Sequence, residues 1–80
     1  MERRILLTQC PDDKGLIAKI TGVCFKHQYN IIKNDQFSSQ EDNKFFMRTE
    51  IEGEFGANDT FLREVEKSIP AGGKCSLVPK

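Results

Sequence analysis

Cys10-Pro11-Asp12-Asp13-Lys14-Gly15-Leu16-Ile17-Ala18 joins a short apolar run, Ile5-Leu6-Leu7, to a segment of helical periodicity running from Leu16 to His27. Pro11 offers no N–H to a ladder and ends the strand. Asp12 or Asp13 can cap the helix by accepting from the N–H groups of its first turn. Gly15 permits a tight turn or the close approach of another group. The stretch therefore writes a strand-to-helix corner with backbone donors pointing out of it. Such a corner can hold the carboxylate or phosphate of a small ligand. The same residues also make an ordinary capped turn.

Upstream of the corner, Arg3 to Gln9 reads as a strand with Ile5 and Leu7 on one face and Leu6 and Thr8 on the other. Apolar residues on both faces predict a central strand. Downstream, Lys14 to Gln28 reads as a helix. Leu16, Ile17, Ile20, Val23, Cys24 and His27 form its apolar stripe, and Gly22 allows close packing on the sheet or a neighbour. His27 has no partner acid or nucleophile near it in the sequence and reads as structural or surface-exposed.

Asn30 to Ser39 reads as a second strand, with Asn30 accommodating the backbone after the helix. Its alternation is poor: Lys33, Asp35 and Phe37 share one side, Asn34 and Gln36 the other. A bulge, or one face in a polar interface, accounts for this. The polar run Ser38 to Asn43 is a hairpin loop. Lys44 to Glu52 then alternates cleanly, with Phe45, Met47, Thr49 and Ile51 facing the helices and Phe46, Arg48, Glu50 and Glu52 facing away. Gly53 to Gly56 breaks the pattern. Asn58, Asp59 or Thr60 can cap a second helix whose stripe is Phe61, Leu62, Val65 and Ile69. Pro70 stops it, Gly72-Gly73 turns the chain, and Lys74 to Val78 closes as a short strand with Cys75 and Leu77 on one side.

The order strand, helix, strand, strand, helix, strand defines an α+β fold, the ferredoxin-like βαββαβ sandwich, with both helices on one face of a four-stranded antiparallel sheet. The chain has 80 residues, a single domain spanning 1–80. A domain of this size hides only about 60% of its unfolded surface. Its other sheet face stays bare, and Leu6, Phe46 and Val78 are expected to project from it. That face suits association with another domain or subunit, or stands as solvent-exposed sheet with scattered apolar residues.

Composition narrows the function. Twelve basic residues balance 12 acidic ones and form no tract, which argues against a nucleic-acid surface. No apolar run approaches the ~20 residues of a membrane span, and the amino-terminal apolar run is too short for a secretory signal. The absence of a C-x-x-C pair and the lone His27 argue against a metal site, and the three cysteines read as reduced thiols of a cytoplasmic protein, two of them packed as small hydrophobes. No cofactor-binding pattern is present. An RNA-recognition sheet is partly echoed by Lys44-Phe45-Phe46-Met47-Arg48, but its glycines are missing and Glu50 and Glu52 follow. An acylphosphatase-like phosphate cradle is disfavoured by Asp12 and Asp13.

Pro11-Asp12 followed by Gly15-Leu16-Ile17-Ala18 resembles the Pro-Asp-x-x-Gly-Leu-Ile-Ala signature of ACT domains, small regulatory modules that bind amino acids. Asn30-Ile31 is similar to the Asn-Ile that opens the second ACT strand. The stretch Cys10 to Thr21, taken with Phe45-Phe46-Met47-Arg48-Thr49-Glu50-Ile51-Glu52-Gly53, resembles the amino-terminal ACT domain of the formyltetrahydrofolate deformylases. That resemblance implies a parent enzyme hydrolysing 10-formyltetrahydrofolate to tetrahydrofolate and formate for purine synthesis. It implies a carboxyl-terminal formyltransferase-like domain that carries catalysis, with the present chain ending where the linker would begin and holding no catalytic residue.

The resemblance further implies an amino acid, glycine or methionine, bound where the first loop of one copy meets another copy. The positions that match are Asp12, Asp13, Lys14, Gly15, Leu16 and Asn30, with Asn30 expected to be brought alongside the corner by the helix that leaves it. Asp12 can accept from the ligand ammonium, the N–H groups of Gly15 and Leu16 can donate to its carboxylate, and Asn30 can do both. The acidic pair fits an ammonium or a helix cap equally well. A purely structural assembly role, and an ACT domain belonging to another protein of amino-acid metabolism, are the alternatives.

Overall fold

Six elements follow in the order β1 (Glu2–Pro11), α1 (Leu16–Lys26), β2 (Asn30–Ser39), β3 (Lys44–Gly53), α2 (Asp59–Ser68) and β4 (Lys74–Pro79) in the computed structural model. It describes residues 2–56 and 59–80, so Asn58, an expected cap of the second helix, lies outside the described residues. The sheet order is β2-β3-β1-β4 and every neighbouring pair is antiparallel. This is the ferredoxin-like sandwich that the element order predicts. β1 is central, paired to β3 from Glu2↔Gly53 to Pro11↔Lys44 and to β4 from Arg4↔Pro79 to Gln9↔Lys74.

Both helices cover one sheet face. The core between them holds Leu6 and Cys10 of β1, Leu16, Ile20 and Cys24 of α1, Phe45, Met47 and Ile51 of β3, and Phe61 and Val65 of α2, with Ile69 just beyond it. Phe61, Val65 and Ile69 are spaced by four, so one stripe of α2 meets the sheet. Each such side chain contributes on the order of 1.5–3 kcal/mol by leaving water. Phe55 joins this core from the irregular segment after β3. Its ring lies 4.5 Å from that of Tyr29, which stands edge-on to Phe61 at 5.0 Å. Gly53 makes room for this cluster, because a Cβ there would lie 2.7 Å from Tyr29 Cδ1.

Several expectations are corrected. Leu6 does not project from the bare face; it is fully buried under the helices, and Leu7 projects in its place. The reason is register: Leu6 stands between Thr49 and Leu77, both on the covered side. α1 begins two residues later than expected, at Leu16, and ends at Lys26. Ile17 leaves the apolar stripe and is exposed, and Gly22 packs against nothing, since a Cβ there meets no atom within 4 Å. The backbone strain after α1 falls on Gln28, at φ 63°, rather than on Asn30.

β2 carries its bulge at Ile32: Ile31 pairs with Ile51, and Lys33 with Glu50. Lys33, Asp35 and Phe37 therefore share the bare face with Glu50, Arg48 and Phe46. Asn34 turns to the covered side, where the Thr49 hydroxyl donates to its Oδ1 at 2.8 Å.

Candidate functional site

The corner forms where the strand ends and the helix has not begun. β1 stops at Pro11, and the Asp12 N–H donates to the Asn43 carbonyl at 2.9 Å, tying the loop to the β2–β3 hairpin. The carboxylates then serve the loop itself. Asp12 Oδ1 accepts from the Asp13 N–H at 3.0 Å, and Asp13 Oδ1 from the Lys14 N–H at 2.8 Å. Neither acid caps α1, contrary to the sequence reading. The N-cap position is Gly15, at φ 72° and ψ 17°, with no side-chain cap bond. Most other residues pay about 1–2 kcal/mol in this left-handed conformation. Open space surrounds Gly15, so its requirement is conformational and not steric.

The consequence is a helix whose first-turn N–H groups receive no side-chain cap from the N-cap residue, Gly15. The Leu16 side chain is buried in the core, which leaves its backbone N–H as its only group for a ligand. Asp13, Lys14 and Gly15 are exposed and Asp12 is half-buried. Beside them, burial raises the Cys10 thiol above its ordinary value, and the charges of Asp12 and Asp13 raise it further. Burial likewise pushes Cys24 and Cys75 up to about 11. All three are free thiols held in their neutral form, which suits packing and not nucleophilic chemistry.

Asn30 does not join the corner within one chain. It pairs with Glu52, which pairs with Arg3, whereas the corner follows the Pro11↔Lys44 pair. Arg3 and Pro11 are about 26 Å apart along an extended strand. α1 carries the chain back across the sheet, so the helix separates Asn30 from the corner instead of bringing it alongside. The structure thus groups Asp12 to Leu16 at one end and sets Asn30 at the other.

Two exposed aromatic rings mark the surface, one of which escaped the sequence reading. Phe25, which it left unmentioned, is 82% exposed on α1, and Phe37 on β2 is 64% exposed. Phe37 lies with Phe46 at 6.1 Å between ring centres. Together with Leu7, Gln9, Arg48 and Ser76 they line a shallow depression of about 640 Å³ on the bare sheet face. A signal for Phe25 existed: it falls off the stripe of α1, where an aromatic residue has no core to enter. On the same bare face, Glu50 is buried beneath two cations. Lys80 Nζ donates to it at 3.0 Å and Arg3 Nη1 stands 3.6 Å away. The Lys80 hydrogen bond holds its carboxyl below the usual range, against the opposing effect of burial.

His27 sits between Glu64 and Phe61. Its Nε2 is 3.3 Å from Glu64 Oε1, off hydrogen-bond alignment, and its ring stands edge-on to Phe61 at 5.2 Å. The sequence reading saw no acid near His27; the fold supplies one in Glu64. Among the described residues, no three His, Cys, Asp or Glu side chains converge as a metal site, and no helix is long and apolar enough to cross a membrane.

Comparison with known proteins completes the picture. The family model for the ACT domain matches residues 4–60. The formyltetrahydrofolate deformylase of Haemophilus influenzae is 53% identical over 78 residues, covering 98% of this chain and 28% of that protein. The deformylase of Escherichia coli K12 is 44% identical over 79 residues, again 28% of its length. The chain therefore spans little more than a quarter of these curated relatives. The crystal structure of a formyltetrahydrofolate deformylase from Pseudomonas putida KT2440 shares the fold, with a TM-score of 0.81 over 99% of this chain and 29% of that one, at 20% identity. The matched residues include the corner, β2 and β3 and the sandwich is the ACT fold; the chain belongs to the ACT domain family, and along nearly its whole length it is similar to part of the formyltetrahydrofolate deformylases.

Proposed function

We propose that this chain is the regulatory, amino-acid-binding and self-associating domain of a cytoplasmic formyltetrahydrofolate deformylase. The parent enzyme hydrolyses 10-formyltetrahydrofolate to tetrahydrofolate and formate, and its catalysis belongs to a formyltransferase-like domain outside these residues. The parentage is supported by the 53% identity to the Haemophilus influenzae deformylase. The observation that carries the binding role is the uncapped start of α1 behind Gly15.

An amino-acid carboxylate fits the outward N–H groups of Gly15 and Leu16, favoured by the positive end of the helix dipole. Asp12, with Asp13 and Lys14 beside it, offers an acceptor for the ammonium group. Glycine and methionine are the ligands to test. Asn30, at the far end of the sheet, reaches this site only from a second copy. β2 is an edge strand and α1 lies on the same flank, with Ile17, Phe25 and Ile32 exposed there. Two copies meeting antiparallel along this flank bring the corner of each beside Asn30 of the other.

Calorimetry with glycine and with methionine tests this. Heat with one of them and a rise in melting temperature are expected. Asp12→Ala and Asn30→Ala each abolish the signal, and an equimolar mixture of the two variants regains part of it, because each mixed dimer rebuilds one intact site. No heat and an unmoved melting temperature with both amino acids would remove the sensing role. The exposure of Phe25 and Phe37 favours a second reading, a module that only holds larger chains together. It requires association that no amino acid alters.

A further inference from the structure

We propose that the bare sheet face is a self-complementary surface on which a second copy of this chain stacks face to face, with Asp35 of each copy on Arg48 of the other. The register of β2 and β3 composes this surface. On the bare face their residues pair as Lys33↔Glu50, Asp35↔Arg48 and Phe37↔Phe46. Each pair joins opposite charges or two aromatic rings.

A two-fold axis parallel to the strands and midway between β2 and β3 lays every β2 residue of one copy over the β3 residue that is its own register partner. Asp35 then faces the copy's Arg48, Arg48 faces its Asp35, and Phe37 faces its Phe46. Complementarity within one hairpin thereby becomes complementarity between copies, and no like charges meet. Aligned packing of two sheets, about 10 Å apart, accommodates this arrangement.

The surface is prepared for such a partner. Phe37 is largely exposed on β2, with its ring 6.1 Å from that of Phe46 on β3. Asp35 and Arg48 are exposed, and among the described residues neither makes an ion pair within its own chain. Glu50 differs. It is already held by Lys80 and Arg3, so the central charge contact falls to Asp35 and Arg48. This interface uses the sheet face and not the α1–β2 flank, and it does not depend on amino-acid binding.

Sedimentation velocity on the 80-residue chain across a concentration series tests the proposal, with circular dichroism as a check on folding. The wild type is expected to associate, less so at high salt. Arg48→Asp and Asp35→Arg should each weaken association at least about tenfold through like-charge contacts, and Phe37→Ser by a similar factor. The double swap Asp35→Arg with Arg48→Asp should restore it, while Phe25→Ser on the flank leaves this step unchanged. A wild type that stays monomeric at the highest soluble concentration overturns the proposal and leaves the face to another domain. So does association indifferent to both single swaps, or a double swap no better than either single. Loss of association with Phe25→Ser alone would assign it to the flank.

Discussion

The two faces of the sheet solve the burial problem in opposite ways. On the covered face helices supply the cover, and the two buried hydroxyls fare differently: that of Thr8 has no partner, and that of Thr49 finds one on the edge strand. Thr49 is fully buried and donates to Asn34, whose Nδ2 in turn donates to Gln36 Oε1 at 3.1 Å. On the bare face no element covers the strands, yet Glu50 is as buried as Phe45 on the covered face. Its cover is made of long side chains: the stems of Arg3 and Lys80 lie over the sheet and deliver their charges to the carboxylate. One strand, β3, serves both faces with alternate residues. Burial is therefore not the same as membership of the core. A carboxylate can be hidden where only cationic side chains cover it, and a phenylalanine can remain exposed one strand away.

This contrast can be broken at several points. The largest effect is expected from Phe61→Ala, which empties the centre of the covered side at a cost of about 3–5 kcal/mol in urea unfolding. A smaller loss, about 1 kcal/mol, is expected for Thr49→Val, which strips Asn34 of a donor at constant shape. Glu50→Gln should act mainly through pH. The folded carboxyl titrates below its unfolded value, so its contribution is present above the unfolded pKa of about 4.3 and lost as pH falls through the depressed folded value. The wild type should exceed the variant in stability near pH 7, and the gap should close on acidification. Phe37→Ser should alter the stability of the single chain by less than about 0.5 kcal/mol, since its ring touches no core residue. A loss as large as that of Phe61→Ala would erase the distinction between the faces.

The fold was legible because each element has its own period. The alternation of Phe45 to Ile51, the spacing of Phe61, Val65 and Ile69, and the stops at Pro11 and Pro70 place the strands and helices without any knowledge of contacts. Facing was legible only where one side is apolar and the other polar. Ile5-Leu6-Leu7 is apolar throughout, so nothing local tells that Leu6 is buried and Leu7 exposed; pairing with Thr49 and Leu77 decides it. Phe55 lies outside any periodic segment and enters the core through Tyr29, a tertiary contact without a sequence pattern.

The candidate site was half legible. Asp12 to Gly15 mark a corner, but whether an aspartate caps the helix or braces the loop depends on a left-handed residue at the N-cap. The position of Asn30 depends on the direction in which α1 runs. A motif read along the chain joins residues that the chain itself carries to opposite ends of the sheet.

The bulge at Ile32 bears on how the sequence can change length. In a regular strand, deleting one residue exchanges the two faces for everything that follows, and here Phe37 would trade places with Gln36. Ile32 is the extra residue between the Ile31↔Ile51 and Lys33↔Glu50 pairs. Its removal restores a regular ladder and leaves every other side chain of β2 on its present face. Within this strand, position 32 is thus the one place where the chain can shorten by a residue without rewriting the surface on either side of the sheet.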